Sequence, residues 1–275
     1  MGFFEKLLNI DRRIIFLFIG VVVIASYFIR ITLPIKYTAP VKDIYDFIED
    51  QEEGACIMVA FDYSPDSMPE LNPMSLSFLR HCFKKKLKVI AMTLWAPGAG
   101  LAEEALATTA EEFGAKPEID YVNLGYKFGT VAVMLGLGSS IVDTFPLDYN
   151  KKSTKDMPIF KKIKNYKDVT LLMDFAAGAT PEEWVVYAYT KYDQRLAAGV
   201  TAVMAADYYP YLDTGQLVGL INGLKGAAEY ENLMGKPGEA TRGMTPQSAV
   251  HLVIIFFIVI GNIGYFMVLR KKGAK

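Results

Sequence analysis

Two long apolar runs sit at the ends of this chain, and short apolar runs alternate with polar-faced stretches between them. The C-terminal run, Ala249 to Leu269, has 21 residues without a formal charge and is followed by Arg270, Lys271 and Lys272. At about 1.5 Å per helical residue it is long enough to cross a bilayer. The N-terminal run, Ile14 to Ile29, follows Asp11-Arg12-Arg13 and precedes Arg30. A basic start and an apolar centre also suit a cleaved leader. Here the apolar character continues through Tyr27, Phe28 and Ile29, where a cleavage region turns polar, so the pattern predicts an uncleaved anchor. The expected plan is a segment 1–13, a transmembrane helix 14–33, a central domain, a second transmembrane helix 249–269 and a basic tail 270–275.

Between the spans, Pro34 and Pro40 predict an extended stem leading to a short amphipathic helix from Lys42, together covering 34–54. Strands are expected at Ala55–Phe61, Leu87–Leu94, Ile119–Leu124, Val169–Phe175 and Val200–Ala206, where short apolar runs meet turn signals. Helices are expected from Asn72-Pro73 to Lys84 and over Leu101–Phe113. Another should run from Thr180 to Tyr192, where Thr180-Pro181-Glu182-Glu183 spells a capping box with proline at the first position. Asp213-Thr214-Gly215-Gln216 opens a last helix by the same logic. Thr130–Gly138 reads as a strand or a buried helix. Gly136-Leu137-Gly138-Ser139-Ser140 invites a dinucleotide-loop reading, but Pro146 stops any following helix too soon, so a buried helix is expected. Near-continuous apolar strands alternating with helices predict an α/β, three-layer, mostly parallel, Rossmann-like domain over 55–235, with a linker at 236–248.

Composition changes this picture little. A formal net charge of −1 and the absence of any base-reading motif argue against nucleic acid as a partner. Two cysteines, Cys56 and Cys82, indicate neither a disulfide framework nor a Cys-rich zinc site. Basic residues close to the spans are more numerous on the terminal sides, which predicts cytoplasmic termini, an extracytoplasmic domain and a cell-membrane location. Residues 151–167 hold seven lysines with Asp156 as the one acid. This is a solvated connection or a basic face for lipid head groups or an acidic partner.

Candidate chemistry follows from the expected topology, because ligands of open α/β sheets bind outside the strand carboxyl ends. Asp62, Asp174 and Asp207 fall there, and grouped carboxylates suit a hard divalent cation or a polar ligand, or simply cap turns. No phosphatase aspartate pair, nucleophile elbow or Walker loop accompanies them, and no motif names a catalytic residue or a cofactor. His81 falls in an expected helix and His251 in a span. Gly215, Gly219, Gly223 and Ala227 recur every fourth residue in the expected last helix, a row suited to close packing inside the domain or against a partner. Tyr208, Tyr209 and Tyr211 form an adjoining aromatic loop suited to an interface. Asn262, between Gly261 and Gly264, suits helix pairing in the membrane. The leading expectation is a non-catalytic component of a membrane complex, docking copies of itself or other subunits. The alternative is an ectoenzyme or small-ligand receptor using the aspartates.

Overall fold

A computed structural model describes residues 10–28 and 36–273 and divides into two units, 1–34 with 242–275, and 35–241. Residues 29–33 of the first expected span, the start of the stem and the extreme termini lie outside the described residues. The first unit contains helix α1 (Arg12–Phe28) and most of a long terminal helix, Glu239–Gly273. Among the described residues the terminal helix alone is long and apolar enough to cross a membrane, with a mean hydropathy of 2.6 over its best window. It begins within the expected 236–248 linker, as one continuous helix. Phe18 of α1 meets Phe257 edge to face at 5.7 Å. Asn262, expected to seek a second helix, donates its amide to the Ile258 carbonyl of its own helix at 2.8 Å.

The second unit is a three-layer α/β domain around six parallel strands in the order β3-β2-β1-β4-β5-β6. The strands are β1 (Cys56–Asp62), β2 (Lys88–Thr93), β3 (Tyr121–Tyr126), β4 (Leu171–Ala176), β5 (Leu196–Val200) and β6 (Leu217–Asn222). Strands β1 and β4 are buried along their whole length, as a parallel sheet covered on both faces requires. One face carries α2 (Ala39–Glu49), α3 (Met68–Lys84), α4 (Gly98–Phe113) and α9 (Gly223–Leu233). The other carries α5 (Thr130–Leu137), α6 (Ile141–Thr144), α7 (Thr180–Trp184) and α8 (Ala205–Asp213). A π-helical turn, Val185–Tyr189, continues α7 to a last turn at Thr190–Tyr192. Met58, Ala60, Leu172 and Ala198 face Val133, Met134, Phe160 and Trp184 in this second core. A helix is present at the expected Thr130–Gly138 segment, but it is buried on one face alone, with Val133, Met134 and Leu137 inward and Val131 exposed. All seven lysines of 151–167 are exposed, over three short 3₁₀ turns, and Lys152 pairs with Glu118.

Two expectations fail in the last third of the domain. Residues 201–204 are a turn, not a strand, and β5 lies earlier, in the small-residue run Leu-Ala-Ala-Gly-Val. The glycine row is not a helix face, because Leu217-Val218-Gly219-Leu220-Ile221 is strand β6. Gly215 turns the chain at φ +73°, Gly223 opens α9 at φ +56°, and Ala227 is buried in that helix. Gly219 lies under α2, and a Cβ there would stand 2.3 Å from the Pro40 carbonyl and 2.5 Å from Ile44 Cγ1. The four-residue spacing is a coincidence of a turn, a strand contact and a helix start.

Helix α9 locks both chain connections of the domain. Buried Glu229 accepts from the Thr38 amide at 2.8 Å and hydroxyl at 2.7 Å, which fixes the start of α2, and it pairs with Lys225. Glu231, 3% exposed, accepts from the amides of Gly238, Ala240 and Thr241 at 2.8, 3.0 and 2.8 Å and from the Thr241 hydroxyl at 2.6 Å. These are the orphan donors at the start of the terminal helix, α10 (Glu239–Gly273), and a charged acceptor satisfies them strongly. On the same side, His81 is fully buried between Tyr230 and Glu49, at 2.8 and 3.0 Å. Burial pulls its pKa down to about 4, so it is neutral, with Nε2–H donating to Glu49 and Nδ1 accepting from Tyr230. It is a core histidine. Cys56 and Cys82 are both buried free thiols, raised in pKa by burial.

Gly219→Val should lower domain stability by at least about 2 kcal/mol in chemical denaturation, since the added carbons meet backbone, and should leave oligomeric state unchanged. Wild-type stability with altered assembly would instead make Gly219 a surface contact. Glu231→Ala should cost about 1–3 kcal/mol and speed amide exchange at residues 238–241 by tenfold or more. Unchanged exchange there would show that the cap carries no energy.

Candidate ligand cleft at the strand carboxyl ends

A parallel sheet brings all its strand carboxyl ends to one edge, and where the strand order reverses, the outgoing loops part to opposite faces. Here the reversal falls between β1 and β4. A cleft of about 770 Å³ opens at that point, a size that suits a small organic ligand. Its walls are Tyr63, Ser64, Asp66 and Ser67 after β1, Leu94 to Pro97 after β2, Tyr126, Phe128, Gly129 and Thr130 after β3, and Ala177 to Thr180 with Glu183 after β4. Trp95 is 53% exposed and Phe128 87% exposed, so large apolar faces stand at the mouth. No lysine, arginine or histidine is among the lining residues.

Two carboxylates lie at the base. Asp62 ends β1 opposite Ala176, and Asp174 lies in β4 opposite Ala60. The two-residue offset puts them diagonally adjacent on one face, because side chains alternate with period two. Asp62 is 5% exposed and fronts the cleft, while Asp174 is 1% exposed and lies behind it. Asp62 Oδ1 accepts from the Leu94 amide at 2.6 Å and lies 3.2 Å from the Thr93 hydroxyl. That hydroxyl also sits 2.7 Å from the Phe61 carbonyl, tying the end of β2 to that of β1. Asp62 Oδ2, both oxygens of Asp174 and the Thr180 hydroxyl are buried without a hydrogen-bond partner.

Burial, only partly offset by the Leu94 amide, pushes Asp62 up from its ordinary 3.8 to about 6. Burial and then the charge of Asp62 push Asp174 well above the carboxylate range. The Thr180 hydroxyl faces the pair and favours its ionised form without closing to a hydrogen bond. Like charges this close and this dry cannot both ionise freely, so the pair keeps a proton to higher pH than an ordinary carboxylate would.

Of the three aspartates expected to converge, the structure unites Asp62 and Asp174. Asp207 sits on the exposed face of α8, because the strand expected to end beside it is a turn. Tyr208 is not an exposed aromatic; it is buried and donates to the Gly178 carbonyl at 3.1 Å, supporting the cleft wall. Tyr209 is exposed, bonded to Asn222 at 3.1 Å, and Tyr211 packs partly against the core. Thr180 makes no cap bond, so the expected capping box is absent, and its hydroxyl is free to face the aspartates. Phe128, Tyr126 and Thr93 were not evident as site residues in the sequence. Among the described residues no group of three or more His, Cys, Asp or Glu is placed to hold a metal ion. No family model, no curated protein and no solved structure matches the chain.

An acid whose pKa rises on folding keeps its proton to higher pH in the folded state than in the unfolded one. Stability therefore falls as pH climbs from about 4 through about 6 and beyond, and for Asp62 the rise corresponds to about 3 kcal/mol at alkaline pH. Asp174→Asn removes the repulsion and can donate its amide to Asp62 Oδ2. It should stabilise the domain by about 1–3 kcal/mol at pH 8 and by little at pH 4, read by denaturant unfolding at both. Destabilisation at pH 8 would show that the pair is a structural contact.

Proposed function

We propose that the chain is a membrane-anchored binding protein whose α/β domain holds a small organic ligand in the cleft at the β1/β4 reversal. The observation that carries this reading is the pair of buried carboxylates at the cleft base, three of whose oxygens lack a hydrogen-bond partner. Such groups lower stability, and sites that do so in a fold are where function resides. Trp95, Tyr126 and Phe128 would supply flat apolar faces to the ligand, and Asp62 with the loop amides its polar contacts. The strand order supports the Rossmann-like reading of the domain, and in that fold a ligand crevice at the strand reversal is the expected one.

Anchoring would come from α10, with α1 as a second span and both termini in the cytoplasm. A purely docking role in a membrane complex has less support. Gly219 and Tyr208, two residues that suggested it, lie inside the domain.

Native mass spectrometry of protein gently extracted from its own membrane tests the reading. We expect a small-molecule adduct that is lost in Gly178→Leu, a position where a side chain meets open space in the cleft and disturbs no core. Stoichiometric subunits with no small molecule, or an adduct indifferent to Gly178→Leu, would favour the docking role.

A further inference from the structure

We infer that the base of the cleft is a divalent-cation site, in which Asp62, Asp174 and the Thr180 hydroxyl supply oxygen to a hard ion of the magnesium class. Four buried oxygens at this place lack any partner: Asp62 Oδ2, Asp174 Oδ1 and Oδ2, and Thr180 Oγ1. Three of them belong to carboxylates, which when ionised can only accept. When both acids are ionised, the Thr180 hydroxyl offers the single proton against three carboxylate acceptors, so acceptors outnumber donors. Buried polar atoms are nearly always satisfied, so a set of convergent oxygen acceptors marks the place of a missing positive group. No lysine, arginine or histidine lines the cleft to provide it.

A small divalent ion answers each feature. Magnesium is held by one or two carboxylates and keeps several waters, so two aspartates and a hydroxyl suffice without a third acid. Asp62 fronts the cleft, which leaves the ion's outer side open to water or to an oxygen of the ligand. Leu94 and Thr93 hold Asp62 by Oδ1 and so leave Oδ2 for the ion. The ion would also remove the repulsion between the aspartates, which explains how a fold tolerates two acids in one dry site.

This inference deepens the cleft reading but is tested with metal alone. Manganese serves as the spin probe in paramagnetic resonance titrations of the metal-stripped full chain in detergent. One saturable site, displaced by magnesium and weakened at least tenfold in both Asp62→Asn and Asp174→Asn, is the expected result. Glu183→Gln and Asp66→Asn, on the cleft wall, should keep it, and circular dichroism should show every variant folded. No saturable binding would overturn the inference and leave a shared proton as the pair's sole occupant. Binding that survives both asparagine variants would overturn it too, by placing the ion elsewhere. Manganese binding with no small-molecule adduct in the native protein would remove the cleft reading and leave the ion site standing.

Discussion

The backbone hydrogen bonding of an all-parallel sheet constrains everything else in the domain. Parallel neighbours cannot be joined by hairpins, so each connection must cross a face and cover it, and both faces become core. The strands of this sheet are mostly apolar for that reason, and their carboxyl ends all reach one edge. The order β3-β2-β1-β4-β5-β6 then opens that edge at the middle of the sheet, since the crossovers from β1 and β4 run in opposite directions and their loops leave to opposite faces. A cleft at this point is a consequence of connectivity. What the individual residues decide is its chemistry.

That chemistry runs against stability. Elsewhere the domain satisfies its buried charges: Glu231 takes four donors at the start of α10, Glu229 holds Thr38 and Lys225, and neutral His81 bridges Glu49 and Tyr230. Asp62 and Asp174 are the exception, two acids on adjacent strands with three free oxygens between them. A fold that caps a helix with a buried glutamate so fully does not lack means to pair an acid. A cation held between these two, as proposed above, would bring them into line with the rest of the domain.

The strands Cys56–Asp62, Lys88–Thr93, Tyr121–Tyr126 and Leu171–Ala176 were legible because their apolar runs are short, unbroken and bounded by turn residues. The layer count and the place of a ligand crevice followed from them, as did Asp62 and Asp174. β5 and β6 were not legible, for a physical reason. Leu-Ala-Ala-Gly-Val packs small residues in a crowded interior, and Gly219 makes room for the Pro40 carbonyl, so both strands carry weak local preference and depend on tertiary contact. Asp207 was misplaced with them. Thr180 was read as a cap because its neighbours spell one, whereas its hydroxyl faces a pair that the fold assembles from nearby Asp174 and distant Asp62. Such a contact has no local signature.

The central claim is that two carboxylates share one dry site at the cleft base. Carboxyl-carbon NMR of the full chain, labelled at aspartate and titrated in metal-free buffer, tests it most directly. The account predicts one resonance titrating near pH 6 and a second, coupled to it, still protonated above that pH, with each of Asp62→Asn and Asp174→Asn removing one and lowering the other. If every aspartate titrates near pH 4, the pair is neither buried nor coupled, and the cleft loses the feature that singles it out.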